Sequence, residues 1–450
     1  MLRTLSSGFG YLAFADLAQR AVARSTGPLA PKAPHFAAKA KRVIFLCMNG
    51  APSHVDLLDP KPALTAADGK PSPRSPGGFT KLMGSPWKFS QHGQSGLEFS
   101  ELLPEMAKHA DELCVIRSMQ TDLPAHGPAS IQMHTGSLQF IRPSLGAWTL
   151  YGLGSESENL PGFINLSATS NNGGAQKYGS AFLPAIYQGT PIGTLGPFGR
   201  VVGELKVNNV ANTKLNPSQQ RSQLDLIQAL NRERLARDVV NPQVEGLIES
   251  FELGFRMQSE APSLLDLSGE SEATKRLYGI GETETDFMGR QCLLARRFAE
   301  AGVRFIEVNH GDWDDHRDLH TELPKHTAAV DKPVAALLTD LRERGLLKDT
   351  LVIWGGEFGR TPHAQGSGRD HNNKGFSLWM AGGGIRGGQT YGATDELGYE
   401  AVENPVHIHD WHATILHLLG LDHEKLTYRY AGRDFRLTDV KGNVVHDLLA

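Results

Sequence analysis

Long apolar runs are missing from this chain of 450 residues: no stretch approaches the ~20 residues that a membrane-spanning helix requires. Cysteine is scarce. Cys47, Cys114 and Cys292 lie far apart and never form a C-x-x-C pair, which argues against a disulfide framework or a thiolate zinc site. An excess of one charge is missing as well: 45 Lys and Arg against 49 Asp and Glu leave a formal net charge of −4. That balance offers no broad basic face and argues against nucleic acid as a partner. With 40% hydrophobic and 21% charged residues and no internal repeat, neither disorder nor a fibrous architecture is indicated. Histidine, finally, is absent from residues 135–309, although the chain has 18. They fall as six in 35–134, six in 310–371 and six in 407–446. Scattered surface histidines would not leave such a gap, so three separate regions concentrate imidazole.

What is present reads as alternating strands and helices. Val43, Ile44, Phe45, Leu46, Cys47 and Met48 form an apolar run that ends in Asn49-Gly50, the pattern of a buried strand and its turn. Helices are expected over 102–110, 217–237, 244–257, 286–301 and 323–344, the last kinked at Pro333. Strands are expected over 113–116, 303–308, 350–354 and 376–380, and a hairpin over 435–445 turning at Lys441-Gly442-Asn443. This alternation implies an α/β fold, a mainly parallel sheet covered by helices on both faces in three α/β/α layers. One domain over 41–450 with a helical insertion at about 215–285 fits better than two. Residues 1–40 differ: a basic start, a weakly apolar segment and Ala21-Val22-Ala23 are the parts of an export signal. Without the arginine pair the segment reads either as a truncated twin-arginine-like signal, for a periplasmic or extracytoplasmic protein, or as a disordered or helical arm of a cytoplasmic one.

In open α/β sheets, ligands gather beyond the carboxyl ends of the strands. Three such ends here carry carboxylates and histidine together: Asn49 to Asp56 with His54, the loop with Asp312, Asp314, Asp315 and His316, and Glu357 with Arg360, followed by Arg369, Asp370 and His371. Oxygen and imidazole ligands in combination suit zinc, manganese or iron, whereas calcium and magnesium prefer oxygen alone. Taken singly, each loop is also an ordinary solvated turn; Glu357 with Arg360 also reads as a structural pair, and His409 opens a helix. A further stretch, Ala125 to Gly136, enters a short helix with His126 at its mouth, where free N–H groups and the helix dipole suit an anion. His134, two turns further in, reads as a helix-face residue.

His126, Gly127 and Pro128 through Thr135 and Gly136 have the spacing of the C/S-x-P-x-R-x4-T-G motif. The stretch thereby resembles the sulfatase branch of the alkaline phosphatase superfamily, with His126 at the nucleophile position and Ser130 at the arginine position. The segments around Trp313 to His316, Gly356 to Pro362, Gly368 to Asn372, Asn49 to Asp56 and 406–445 are similar to a large bacterial family, the domain-of-unknown-function family fifteen hundred and one, commonly exported by twin-arginine signals. The resemblance covers nearly all of the chain from Lys41. It implies an alkaline phosphatase/sulfatase-like fold and a divalent metal (zinc, manganese or calcium) held by Asp56, His126, Asp314, His316, Glu357 and His371. Asn49 and Arg369 would bind substrate, with His126 and Arg360 catalytic and His54 and His409 in reserve. The implied chemistry is hydrolysis of a small-molecule or carbohydrate sulfate or phosphate ester by metal-activated water. The imidazole at position 126 excludes formylglycine there. A phosphohistidine at His126 and a loss of turnover remain open, and the alternative is a non-catalytic extracytoplasmic anion- or glycan-binding protein on the same fold.

Overall fold

Strand β1 (Arg42–Met48), buried along its whole length, lies in the middle of a ten-stranded sheet. The chain is seen here as a computed structural model that describes residues 27–74, 79–196, 201–202, 205–206, 214–237 and 242–450. The strands that matter for the site are β2 (Leu113–Gln120), β3 (Phe163–Thr169), β4 (Thr190–Leu195), β5 (Val201–Val202), β6 (Phe305–His310) and β7 (Thr350–Gly355). After them come a separate hairpin of β8 (Gly359–Gln365) and β9 (Gly368–Asn372), then β10 (Phe376–Ala381), β11 (Gln389–Tyr391) and β12 (Val406–His407). The sheet order is β11-β2-β10-β7-β1-β6-β3-β4-β5, with β12 beside β2. Strands β7, β1, β6, β3 and β4 run parallel, while β10 is antiparallel to both its neighbours and β5 to β4.

Alternation along β1 explains the layers. Ile44, Leu46 and Met48 enter one apolar core with α5 (Asp286–Glu300) and α6 (Leu319–Glu343), whereas Val43, Phe45 and Cys47 enter another with α1 (His126–Thr135), α2 (Leu145–Leu153) and α7 (Ile408–Leu418). The fold is therefore α/β in three layers. Two further helices, α3 (Pro217–Arg237) and α4 (Pro242–Leu265), are tied together by the bidentate Arg221–Glu252 pair at 2.8 Å. Among the described residues no helix is long and apolar enough to cross a membrane.

Several expectations shift. The helix expected over 102–110 is a 3₁₀ segment, Met106–Glu112, and the strand after it runs on to Gln120. α4 extends past 257 through Pro262, and α6 starts at Leu319, because Asp318, at φ 54, turns the chain and its N–H is held by Ser367 Oγ at 2.7 Å. The C-terminal hairpin is not at 435–445. It forms from Tyr428–Tyr430 and Arg433–Phe435, turning at Ala431-Gly432. The cause is packing: Tyr428 and Phe435 bring their rings against Phe182, at 5.9 and 5.2 Å, while the expected turn is drawn onto α7 by Asp410, which accepts the Asn443 N–H at 2.7 Å. The export-signal reading falls largely on residues 1–26, outside the described residues. Residues 27–40 lie along the body, with Lys32 N–H on Leu153 O and Lys39 N–H on Leu418 O.

Candidate metal centre

Four chain segments meet beyond the carboxyl edge of the sheet. β1 ends in Gly50 at φ 106, where an added Cβ would stand 2.8 Å from the backbone nitrogens of Trp313 and Asp314. Only glycine lets the loop after β6 close over the end of β1, with Trp313 N–H bonded to Asn49 O at 3.2 Å. After β7, Glu357 turns back to accept the Gly50 N–H at 3.1 Å. The β8–β9 hairpin sets Arg360 opposite His371, and α1 starts at His126.

These segments bring His126, Asp314, His316 and His371 together. The Nε2 atoms of the three histidines stand 3.1, 3.0 and 3.2 Å from Asp314 Oδ1, and those of His316 and His371 are 2.9 Å apart. Ligand atoms ~2.0–2.1 Å from one zinc ion would be separated by ~3.3 Å in a tetrahedron, so the four atoms nearly describe such a set. Their protons agree. His371 Nδ1 sits 2.9 Å from Pro124 O, and a carbonyl can only accept, so the proton is on Nδ1 and the Nε2 lone pair faces inward. His126 Nδ1 likewise donates to Glu357 Oε1 at 2.6 Å, and its buried Nε2 has no well-aligned hydrogen-bond partner. Two of the three imidazoles, those of His126 and His371, thus have the outer nitrogen anchored as a metal-binding histidine requires, whereas His316 Nδ1 is buried with no well-aligned hydrogen-bond partner. Three imidazoles with one carboxylate suit zinc, manganese or iron better than calcium.

In the metal-free protein a proton takes up part of this role. Burial disfavours the charged His126 ring, but the Asp314 and Glu357 carboxylates outweigh it and raise its pKa to about 9. Burial would raise Asp314 and Glu357; contacts with His126, and for Asp314 also with His371 and Arg360, hold both below the usual carboxylate range. His316 is lowered chiefly by burial. The Phe358 ring flanks His126 and His371, at 4.8 and 4.7 Å. The Asp314 side chain is 42% exposed, and two cavities, of 390 and 350 Å³, flank His316.

Several residues expected at this centre have other partners, among them Glu357, expected as a ligand, whose Oε1 accepts from His126 Nδ1 and the Gly50 N–H and stands outside the four-atom cluster. Asp56 is fully buried in a bidentate pair with Arg369, at 2.7 and 2.9 Å, and takes a further bond from Ser53. Each neutralises the other, so neither meets the cluster. Asn49 points beneath it, donating to Asn309 and accepting from Lys177 Nζ at 2.8 Å. Arg360 touches the centre through Asp314 at 2.6 Å, but its remaining bonds go to the carbonyls of Gly50, Ala51, Trp313 and Arg369, which makes it a positioning residue. His54 is buried against Gly398 O, and His409 beside His407. Arg317, which the sequence reading passed over, lines both cavities beside His316 and makes no ion pair or hydrogen bond among the described residues. Its position directly after His316 was the one available signal.

Residues 40–449 match the model of a family described as a protein of unknown function, DUF1501. No curated protein matches the sequence. Among solved structures, the chain is similar to the PsFucS1 sulfatase from Pseudoalteromonas sp., at 14% identity over 92% of this chain and 72% of that one, with a TM-score of 0.37. It is also similar to an alkaline phosphatase from the Antarctic bacterium TAB5, at 11% identity over 86% and 99%, with a TM-score of 0.34. The lipoteichoic acid synthase LtaP from Listeria monocytogenes gives 8% identity over 93% and 80%, with a TM-score of 0.35.

Proposed function

We propose, from the premise that this chain belongs to the DUF1501 family, that it is a metal-dependent hydrolase of phosphate or sulfate esters. The observation that carries the reading is the convergence of three imidazole nitrogens and one carboxylate oxygen at an open sheet edge. A divalent cation held there would act as a Lewis acid and lower the pKa of a bound water toward ~7. The chain's own residues divide the remaining work. His126, Asp314, His316 and His371 hold the cation, Glu357 fixes the His126 ring through Nδ1, and Arg360 fixes Asp314. Arg317, in the cavity it shares with His316, Gln365 and Gly366, offers a positive charge to an anionic group, and the first turn of α1, which starts at His126 and has no side-chain cap, offers N–H donors. Small-molecule or carbohydrate esters are the substrate class, and the basic, weakly apolar N-terminal sequence supports export as part of the same proposal.

The test is metal analysis of the purified chain together with turnover of an aryl phosphate and an aryl sulfate. His316→Ala is expected to lose the bound equivalent and the turnover together. Arg317→Ala is expected to raise KM with kcat near its original value. Unchanged turnover in His316→Ala and Asp314→Asn refutes the assignment. An imidazole, His126, stands at the position where the C/S-x-P-x-R-x4-T-G pattern has its nucleophile, and that observation favours a second reading, anion binding without turnover. Stoichiometric binding of metal and phosphate with neither ester hydrolysed would support it.

A further inference from the structure

A second group of metal-ligating side chains lies inside the protein and shares no residue with the first: Cys47, His134 and Glu307, each offering one ligand atom within 4.8 Å of the others. Cys47 stands near the end of β1, Glu307 lies on the neighbouring β6, where it pairs in register with Phe45, and His134 comes from the last turn of α1. All three are sealed from solvent, with exposures of 2%, 4% and 0% for Cys47, His134 and Glu307.

The hydrogen bonding leaves a gap in charge between them. His134 Nδ1 is 2.7 Å from Ser130 O, which can only accept, so the Nδ1 proton is committed there. Nε2 then stands 3.3 Å from Glu307 Oε1. Neither Glu307 oxygen meets a well-aligned donor, and neither does His134 Nε2. With a neutral imidazole two acceptors face each other in a buried site, an unfavourable arrangement unless something positive stands between them. A proton would satisfy the histidine and the carboxylate alone. It would leave the Cys47 sulfur, which lies within 4.8 Å of both ligand atoms, outside the arrangement. A divalent ion satisfies all three, because it displaces the thiol proton on binding. The resulting thiolate and Glu307 then balance its two charges, while the buried Lys177, whose charge acts on Cys47, Glu307 and Glu357 alike, donates to Asn49 Oδ1 at 2.8 Å. A small cavity of 10 Å³ lies beside His134, Lys177 and Glu307, lined otherwise by apolar side chains such as Phe45, Phe163 and Phe305.

We propose that Cys47, His134 and Glu307 form a buried structural site for one thiophilic divalent cation of the zinc type, independent of the surface centre. A thiolate sulfur, an imidazole with its Nδ1 anchored and a carboxylate oxygen are all zinc ligands. The spacing of the cysteines argued against a site built from several thiolates, and this one uses a single thiolate.

Cobalt separates this site from the surface centre, because only a thiolate ligand produces the near-ultraviolet sulfur-to-cobalt charge-transfer band. The full chain, produced in zinc-depleted medium with Co²⁺, is expected to show that band. It should persist in His316→Ala, which loses the surface equivalent, and vanish in Cys47→Ser with the loss of one equivalent of metal. Glu307→Gln, which keeps the side chain's size, should release the buried equivalent to a chelator at least about tenfold more readily. Absence of the band in the unaltered protein overturns the proposal without touching the hydrolase reading. So does a band that survives in Cys47→Ser, or a buried equivalent held equally well in Glu307→Gln. Loss of ester turnover in His316→Ala with the band intact concerns only the surface site.

Discussion

The contact between Glu357 and His126 makes a quantitative claim. His126 Nδ1 lies 2.6 Å from Glu357 Oε1, with the Glu357 side chain 1% exposed and the His126 side chain 15%. In the metal-free protein the two carboxylates around the ring raise its pKa from 6.5 to about 9 against the opposing effect of burial. That difference favours the protonated ring by roughly 3 kcal/mol. Glu357→Gln keeps the acceptor oxygen and removes one of the two charges, so about half, on the order of 1.5 kcal/mol, should be lost. The sign follows from linkage. A base whose folded pKa is raised adds stability that is complete below the unfolded value of ~6.5 and is lost as pH rises through about 9. Urea unfolding of the chelator-treated protein should therefore separate the two chains most at about pH 6 and least at about pH 10. With metal in excess the cation replaces the proton, and the variant should instead bind it ~10–100-fold more weakly, because His126 is no longer held by a charged partner. A stability gap of equal size at both pH values would refute the electrostatic account, and an unchanged metal affinity would remove Glu357 from the centre.

Other parts of the molecule give equally direct tests. Gly50→Ala places a Cβ 2.8 Å from the backbone of Trp313 and Asp314 at a φ of 106; it should displace the Asp314 loop, destabilise the chain by more than ~2 kcal/mol and lower metal occupancy, read by urea unfolding and metal analysis. Asp56→Ala strands the fully buried Arg369 and should cost ~3–5 kcal/mol while the surviving fold keeps its full metal stoichiometry; a lost equivalent would return Asp56 to the ligand set. His412 is buried and His310 half-buried, and desolvation lowers the pKa of each to about 3. Folded pKa values below the unfolded ~6.5 mean that their contribution is complete above that pH and is lost as pH falls toward 3. Acid unfolding followed by circular dichroism should move to lower pH in His310→Gln; an unchanged midpoint would exclude that histidine as a driver.

What was legible in the sequence was whatever local physics decides. The apolar run of β1, the glycine and asparagine that end it, and the loop from Asp312 to His316 after β6 all report their positions through neighbours a few residues away. The same signals do not say which of several carboxylates beyond a strand end stays free. Asp56 and Asp314 look alike in sequence, each in a loop with a histidine. They differ because Arg369, 313 residues from Asp56, closes on it in a dry pocket, whereas Arg360 reaches Asp314 with one nitrogen and leaves that side chain open to solvent. The hairpin was misplaced for a related reason: Gly432 and Gly442 both permit a turn, and the choice was made by Phe182, far away in sequence, which stacks on Tyr428. His134 carries the point furthest. On a helix it reads as one more face residue; only the register that sets Glu307 of β6 alongside Phe45, two residues before Cys47 on β1, brings its Nε2 to 3.3 Å from a buried carboxylate. Long-range partners, more than residue type, decide which histidines in this chain have chemistry to do.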